Sequence, residues 1–128
     1  MIVADASAVV LAVTEPEGAA TLAMLANEET HAPSLIDVEI ASALRRSLLR
    51  GALDHDRAVA MIGSAAGLID HRHEPLDLVV LSARWWQHVS AYDAIYVALA
   101  TTLRCPLLTA DARLPRTHSL GCDVILAP

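Results

Sequence analysis

The feature that most constrains this chain is its set of apolar runs, which are too short for helices and too apolar to sit at a surface. Ile2-Val3-Ala4, Pro106-Leu107-Leu108-Thr109 and Val124-Ile125-Leu126 each give way at once to polar or turn-forming residues. That pattern marks strands covered on both faces. Proline at the first position of the second run is tolerated because a strand's first residue can spare its N–H donor. His31-Ala32-Pro33 closes another such strand, and Ile69 to His73 forms a brief one before Pro75. The first run stops at Asp5-Ala6-Ser7, which reads as a strand entering a loop.

Between these runs, apolar residues recur at helical intervals. Gly18 to Asn27 carries Ala19, Leu22 and Leu25 on one face, with Glu15 and Glu17 placed ahead of it to complement the helix dipole. Ser34 and Asp37 have capping-box spacing for a helix that runs to Arg50, where Gly51 ends it, with Ile36, Ile40, Ala43 and Leu44 on its apolar side. Asp54 to Leu68 repeats the period through Ala58, Met61, Ile62 and Ala65. Pro75 suits the first turn of a helix over Leu76 to His88, and Ser90 with Asp93 caps another reaching Thr102.

Short strands separated by helices pair in parallel through right-handed crossovers. The expected fold is therefore α/β: a three-layer α/β/α arrangement with an open, mainly parallel sheet of four to five short strands, and residues 1–128 forming one domain. In such sheets ligands gather at the carboxyl ends of the strands, so acids placed there receive the first functional reading.

Composition narrows the choice. The net charge of −6 argues against a broad basic face that binds nucleic acid by bulk electrostatics, so any such contact must be local. All basic residues are arginine, which suits forked phosphate contacts. The apolar share of 55% is high for a soluble monomer of this size and predicts that another copy or partner covers part of the surface. Met1 to Val13 lacks a basic n-region, and no apolar run reaches the roughly 20 residues of a membrane span, so the expectation is a cytoplasmic protein without a membrane segment. Cys105 and Cys122 lack metal-ligand spacing and read as buried thiols.

The acids then carry the chemistry. Asp5 and Asp111 each follow a strand, Asp93 lies in the first turn of a helix, and Glu39 sits inside one near its start. Capping alone would account for Asp5, Asp93 and Asp111. Glu39 is different, because it stands on a largely apolar stretch with Arg46 two turns away and no lysine in the chain, which leaves a bound cation as a reasonable partner. Hard divalent cations prefer such oxygens and bridge them to substrate phosphate. Ser7 and Thr109, each two positions from an acid, supply hydroxyls that orient an acid or a water, or simply satisfy backbone groups.

The segments Ile2-Val3-Ala4-Asp5-Ala6-Ser7, Ser34-Leu35-Ile36-Asp37-Val38-Glu39-Ile40, Ser90-Ala91-Tyr92-Asp93-Ala94-Ile95-Tyr96-Val97-Ala98-Leu99-Ala100 and Leu107-Leu108-Thr109-Ala110-Asp111 together resemble the PIN domain. The nearest likeness is to the VapC toxins of bacterial toxin-antitoxin pairs. Carried over by position, that resemblance implies an acidic quartet at Asp5, Glu39, Asp93 and Asp111, supported by Ser7 and Thr109. Ala112-Arg113-Leu114-Pro115 offers no further acid after the last of these. It also implies endonucleolytic cleavage of single-stranded RNA, or of a loop in structured RNA, by a water bound to Mg2+ or Mn2+, leaving a 5′-phosphate and a 3′-hydroxyl. A VapB-type antitoxin and a homodimer are implied as partners.

Arg45, Arg46 and Arg50 form a basic end on the Glu39 helix, and Arg113 and Arg116 follow Asp111. They are candidates for RNA or antitoxin contact, beside the simpler role of complementing a helix C-terminus. His71 and His73 share a strand face suited to zinc, but no third ligand of fitting spacing is nearby. Trp85 and Trp86 point about 100° apart on a helix, so one is expected in the core and the other toward a partner. The principal rival function is a non-catalytic PIN-like module that binds RNA or protein. A phosphoacceptor switch fits less well, because it would want a lysine beside its acids.

Overall fold

A computed structural model describes residues 1–14 and 16–128, so Glu15, half of the acidic pair expected ahead of the second helix, lies outside the described residues. The strands are β1 (Ile2–Ala4), β2 (Thr30–Pro33), β3 (His71–His73), β4 (Leu107–Thr109) and β5 (Val124–Leu126). The helices are α1 (Ala6–Val13), α2 (Ala19–Ala26), α3 (Ile36–Leu49), α4 (His55–Ala66), α5 (Pro75–Ser82) and α6 (Ala91–Leu103), with 3-10 turns at Ala83–Trp85 and Leu114–Arg116.

All strand pairs are parallel, in the order β3-β2-β1-β4-β5. The chain therefore steps outward from β1 through β2 to β3 and then returns to lay β4 on the other side of β1. Helices α1 to α4 pack on one another, with α1 on β4, whereas α5 packs on α6 and α6 lies against β1, β2 and β4. The result is the expected three layers, with the sheet between two groups of helices. Val3, Ala4, Leu107 and Leu108 are fully buried at its centre, which explains why those strands read as unbroken apolar runs rather than alternating ones. The order reverses between β1 and β4, and the crevice beyond their carboxyl ends is where open parallel sheets take ligands.

Several local expectations give way to tertiary contacts. The chain does not loop after β1; Asp5 is the N-cap of α1, accepting from the Ala8 N–H at 2.9 Å. Ser34 and Asp37 form no capping box, and α3 starts from Leu35 without a side-chain cap. Asp37 instead accepts from Arg72 Nε at 2.7 Å and Nη2 at 2.8 Å, a forked ion pair between α3 and β3 that outweighs the local cap. The helix expected over Leu76 to His88 ends at Ser82. There the Ser82 hydroxyl donates to the Val79 carbonyl at 2.7 Å and accepts from Trp86 Nε1 at 3.1 Å, and the chain tightens into a 3-10 turn. That turn buries Trp85 and leaves Trp86 53% exposed.

Candidate active site

Asp5 is held most firmly of the four acids. It is buried at the end of β1, where Oδ1 accepts from the Ser7 hydroxyl at 2.6 Å as well as from Ala8, and Oδ2 accepts from the Thr109 hydroxyl at 2.5 Å. The Ser7 hydroxyl oxygen also accepts from the Ala110 N–H at 2.8 Å, and Thr109 Oγ1 accepts from the Asp111 N–H at 3.0 Å. These bonds tie the end of β1 to the end of β4 across the point where strand order reverses. Burial raises the Asp5 pKa above the ordinary carboxylate value, its hydroxyl and backbone donors pull it back, and the charge of Asp93 adds to the rise.

Glu39 projects from the first turn of α3 and is half-buried, with Oε2 accepting from the Tyr96 hydroxyl. Burial raises its pKa as well, the Tyr96 bond opposes that rise, and the charges of Asp5 and Asp93 reinforce it. Burial and the neighbouring Glu39 carboxylate push the Tyr96 phenol far above its usual range, so it stays a neutral donor. Asp93 lies in the first turn of α6, where the Ser90 hydroxyl caps its N–H at 3.1 Å and donates to its Oδ2 at 2.8 Å. Asp111 follows β4 and accepts from Arg113 Nε at 3.0 Å and Nη2 at 2.6 Å. The Arg113 guanidinium holds that carboxyl below the usual range.

All four acids line one crevice of about 620 Å³, together with Ser7, Arg46, Tyr92 and Tyr96. Thr109 is buried beneath it. Arg113 borders an adjoining hollow shared with Asp93 and Asp111, whereas Arg45, Arg50 and Arg116 are exposed and lie outside the crevice. Tyr96 is the residue that the sequence reading passed over. The signal was its position three residues after Asp93, which puts both on one face of α6. The donor set suits a hard divalent cation, since four carboxylates line the crevice and two of them are held partly desolvated beside like charges.

A second cluster corrects the expectation that His71 and His73 have no further ligand nearby. Parallel pairing sets His31 beside His71 and Pro33 beside His73. Glu29, just ahead of β2, completes a group whose ligand atoms all lie within 4.8 Å of one another with His31 and His71. Among the described residues this is the set that meets that spacing; the four crevice acids stand further apart. Burial, with His71 and His73 alongside, lowers the His31 pKa and favours its neutral form.

Comparison with known proteins decides the family. The model of the PIN domain matches residues 2–120 of the chain. The chain belongs to the PIN domain family. This PIN domain is 38% identical to "Ribonuclease VapC1" of Mycobacterium tuberculosis, over 97% of this chain and 96% of that protein. It is 42% identical to "Ribonuclease VapC9" of the same species, over 100% of this chain and 99% of that one. Among solved structures it shares its fold with VapBC2 from Rickettsia felis, crystallised with a DNA fragment from the promoter, at a TM-score of 0.70 and 11% identity, covering 100% of both chains. Mycobacterium tuberculosis VapC20, a sarcin-ricin loop cleaving toxin, matches at a TM-score of 0.67 and 16% identity, over 88% of this chain and 91% of that one.

Proposed function

We propose that this PIN domain is a metal-dependent endoribonuclease acting on single-stranded RNA as the toxin of a toxin-antitoxin module, with Asp5, Glu39, Asp93 and Asp111 holding Mg2+ or Mn2+. The observation that carries the reading is the convergence of these acids, from β1, α3, α6 and the end of β4, on a single crevice. Relatives named as ribonucleases, at 38% and 42% identity over nearly their whole lengths, support the reaction class.

Bound there, the metal ion would supply Lewis acidity at the phosphate and lower the pKa of the attacking water. The chain's own residues supply preorganisation. Ser7, Thr109 and the Ala8 N–H lock both Asp5 oxygens in place, and Tyr96 fixes Glu39, so these carboxylates need no reordering when a cation arrives. Arg46 at the wall of the crevice is placed to meet an RNA phosphate. The partners follow from the same reading: a VapB-type antitoxin, and a second copy of the chain. Leu76, Val80, Trp86 and Tyr92 are exposed at 74%, 72%, 53% and 64%, which supports a covered surface in the assembled protein. Sedimentation at micromolar concentration should show a dimer; monomer alone would remove that part of the proposal.

Cleavage of an unstructured RNA in excess Mg2+ tests the site. Asp93→Asn keeps the helix start and the shape of the side chain but removes one charge, and it should lower the cleavage rate at least about 100-fold. Equal cleavage by the two proteins would refute the site assignment, whereas no cleavage by either would leave a non-catalytic PIN-like module as the better reading.

A further inference from the structure

The cluster at the amino ends of β2 and β3 is chemically unlike the crevice, since it joins one carboxylate to imidazoles. We propose that Glu29, His31 and His71 form a second metal site, for a first-row transition ion of the zinc type, that fastens edge strand β3 to β2. The proposal is independent of the RNA-cleaving reading, because it uses none of the crevice residues.

The observation that asks for a ligand is His31. Its side chain is buried, with a relative exposure of 9%, and its Nε2 has no hydrogen-bond partner. Glu29 Oε1 lies 3.7 Å away, too far for a hydrogen bond. Leaving a buried ring nitrogen unpaired is costly, and water is excluded from it. The other ring nitrogen is already engaged, with Nδ1 at 2.9 Å from His73 Nε2. A second-ring contact of this kind fixes the tautomer and orientation of metal-ligating histidines. With Nδ1 as the donor, His31 Nε2 presents a lone pair toward Glu29.

Spacing agrees with coordination. Zinc bound tetrahedrally to nitrogen and oxygen at about 2.0–2.1 Å sets its ligand atoms about 3.4 Å apart. Glu29 Oε1 stands 2.9 Å from His71 Nε2 and 3.7 Å from His31 Nε2, values on either side of that separation. The His31 and His71 rings are stacked with centroids 4.6 Å apart and planes 25° apart, so their lone pairs lie in nearly parallel planes. Convergence on one ion requires a turn of the His71 ring, and that side chain is 50% exposed and free to make it. Two imidazoles and one carboxylate favour zinc, copper or nickel over magnesium. With three protein ligands, a fourth position stays open to water. In mechanical terms the ion would pin β3, one of the sheet's two edge strands, which is three residues long and paired on one side alone.

The test is zinc retention by the untagged full chain, purified metal-free, given ZnCl2 and then gel-filtered. The parent and Asp93→Asn should each keep about one zinc per chain. His71→Ala and Glu29→Gln, both changes at exposed side chains, should bind it at least about 10-fold more weakly. Zinc should raise the parent's unfolding temperature but not that of the two variants, while RNA cleavage by His71→Ala stays at the parental rate. Absence of zinc on the parent would overturn the proposal. Unchanged retention by both His71→Ala and Glu29→Gln, or retention lost only in Asp93→Asn, would do the same by assigning the ion elsewhere.

Discussion

The crevice beyond β1 and β4 and the cluster at the start of β2 and β3 both gather ionisable side chains, yet their electrostatics are opposite in kind. In the crevice every ligand candidate is an acid, and Asp5 and Glu39 are each raised by burial and by the charge of neighbouring carboxylates. In the edge cluster one acid is set among imidazoles, and the cost is concentrated in one unpartnered nitrogen of His31. A site of one sign has a standing demand for a cation, because part of its repulsion is relieved only when positive charge arrives. A mixed cluster has no such demand, and its selectivity must come from ligand type and spacing.

The largest effect that separates these two cases should come from Glu39→Gln. The amide retains an acceptor for the Tyr96 hydroxyl and nearly the same shape, so it removes charge while sparing the packing. RNA cleavage should fall at least about 100-fold. Stability of the metal-free protein should move the other way. Because the folded pKa of Glu39 is raised, its contribution to stability is fully present below the unfolded carboxylate pKa and is lost as pH rises through the folded pKa. At neutral pH the metal-free parent therefore bears that loss and Glu39→Gln does not, so the variant should be more stable by about 1 kcal/mol, a typical scale for one substitution. Urea titrations of metal-free parent and variant at acidic and neutral pH read the difference. A variant less stable than the parent at neutral pH would mean that the Tyr96 contact, not burial and like-charge repulsion, dominates at Glu39.

The two regions also differ in how far they could be read from sequence. The crevice was legible because each of its acids sits beside a local signal: Asp5 and Asp111 at strand ends, Asp93 at a helix start, and Glu39 misplaced on an apolar stretch. Topology then had only to place strand ends together, as parallel sheets do. The edge cluster was half legible. His71 and His73 showed the right period, but Glu29 and His31 lie about forty positions earlier, and only the β2–β3 register brings them alongside. The same limit explains the errors of local structure. Ser34 and Asp37 had the spacing of a cap, yet Arg72, distant in sequence, competes for Asp37 with a charged fork. The break after Ser82 depends on how Trp85 and Trp86 divide between core and surface, which periodicity alone does not decide.

Whereas Arg46 lines the crevice wall, Arg113 pairs with one of the acids and so tests the one-sign account most directly. Its forked contact with Asp111 is solvent-exposed, at 89% for the arginine and 28% for the aspartate, so water screens it and little folding stability should depend on it. Its effect on ligand capture should be larger than its effect on folding, because the guanidinium occupies the same two oxygens that a divalent ion would use. Arg113→Ala should therefore leave thermal unfolding near the parental value and tighten Mn2+ binding by a small factor, about 2- to 5-fold, with calorimetry as the readout. The acid limb should shift as well. Asp111 is held below the ordinary range by Arg113, so loss of that partner lets its pKa rise, and metal binding should begin to fail at a higher pH as the solution is acidified. Weaker Mn2+ binding in Arg113→Ala at neutral pH would reverse the interpretation: the arginine would then be orienting Asp111 for the ion, and the crevice would owe its cation affinity to positioning more than to accumulated negative charge.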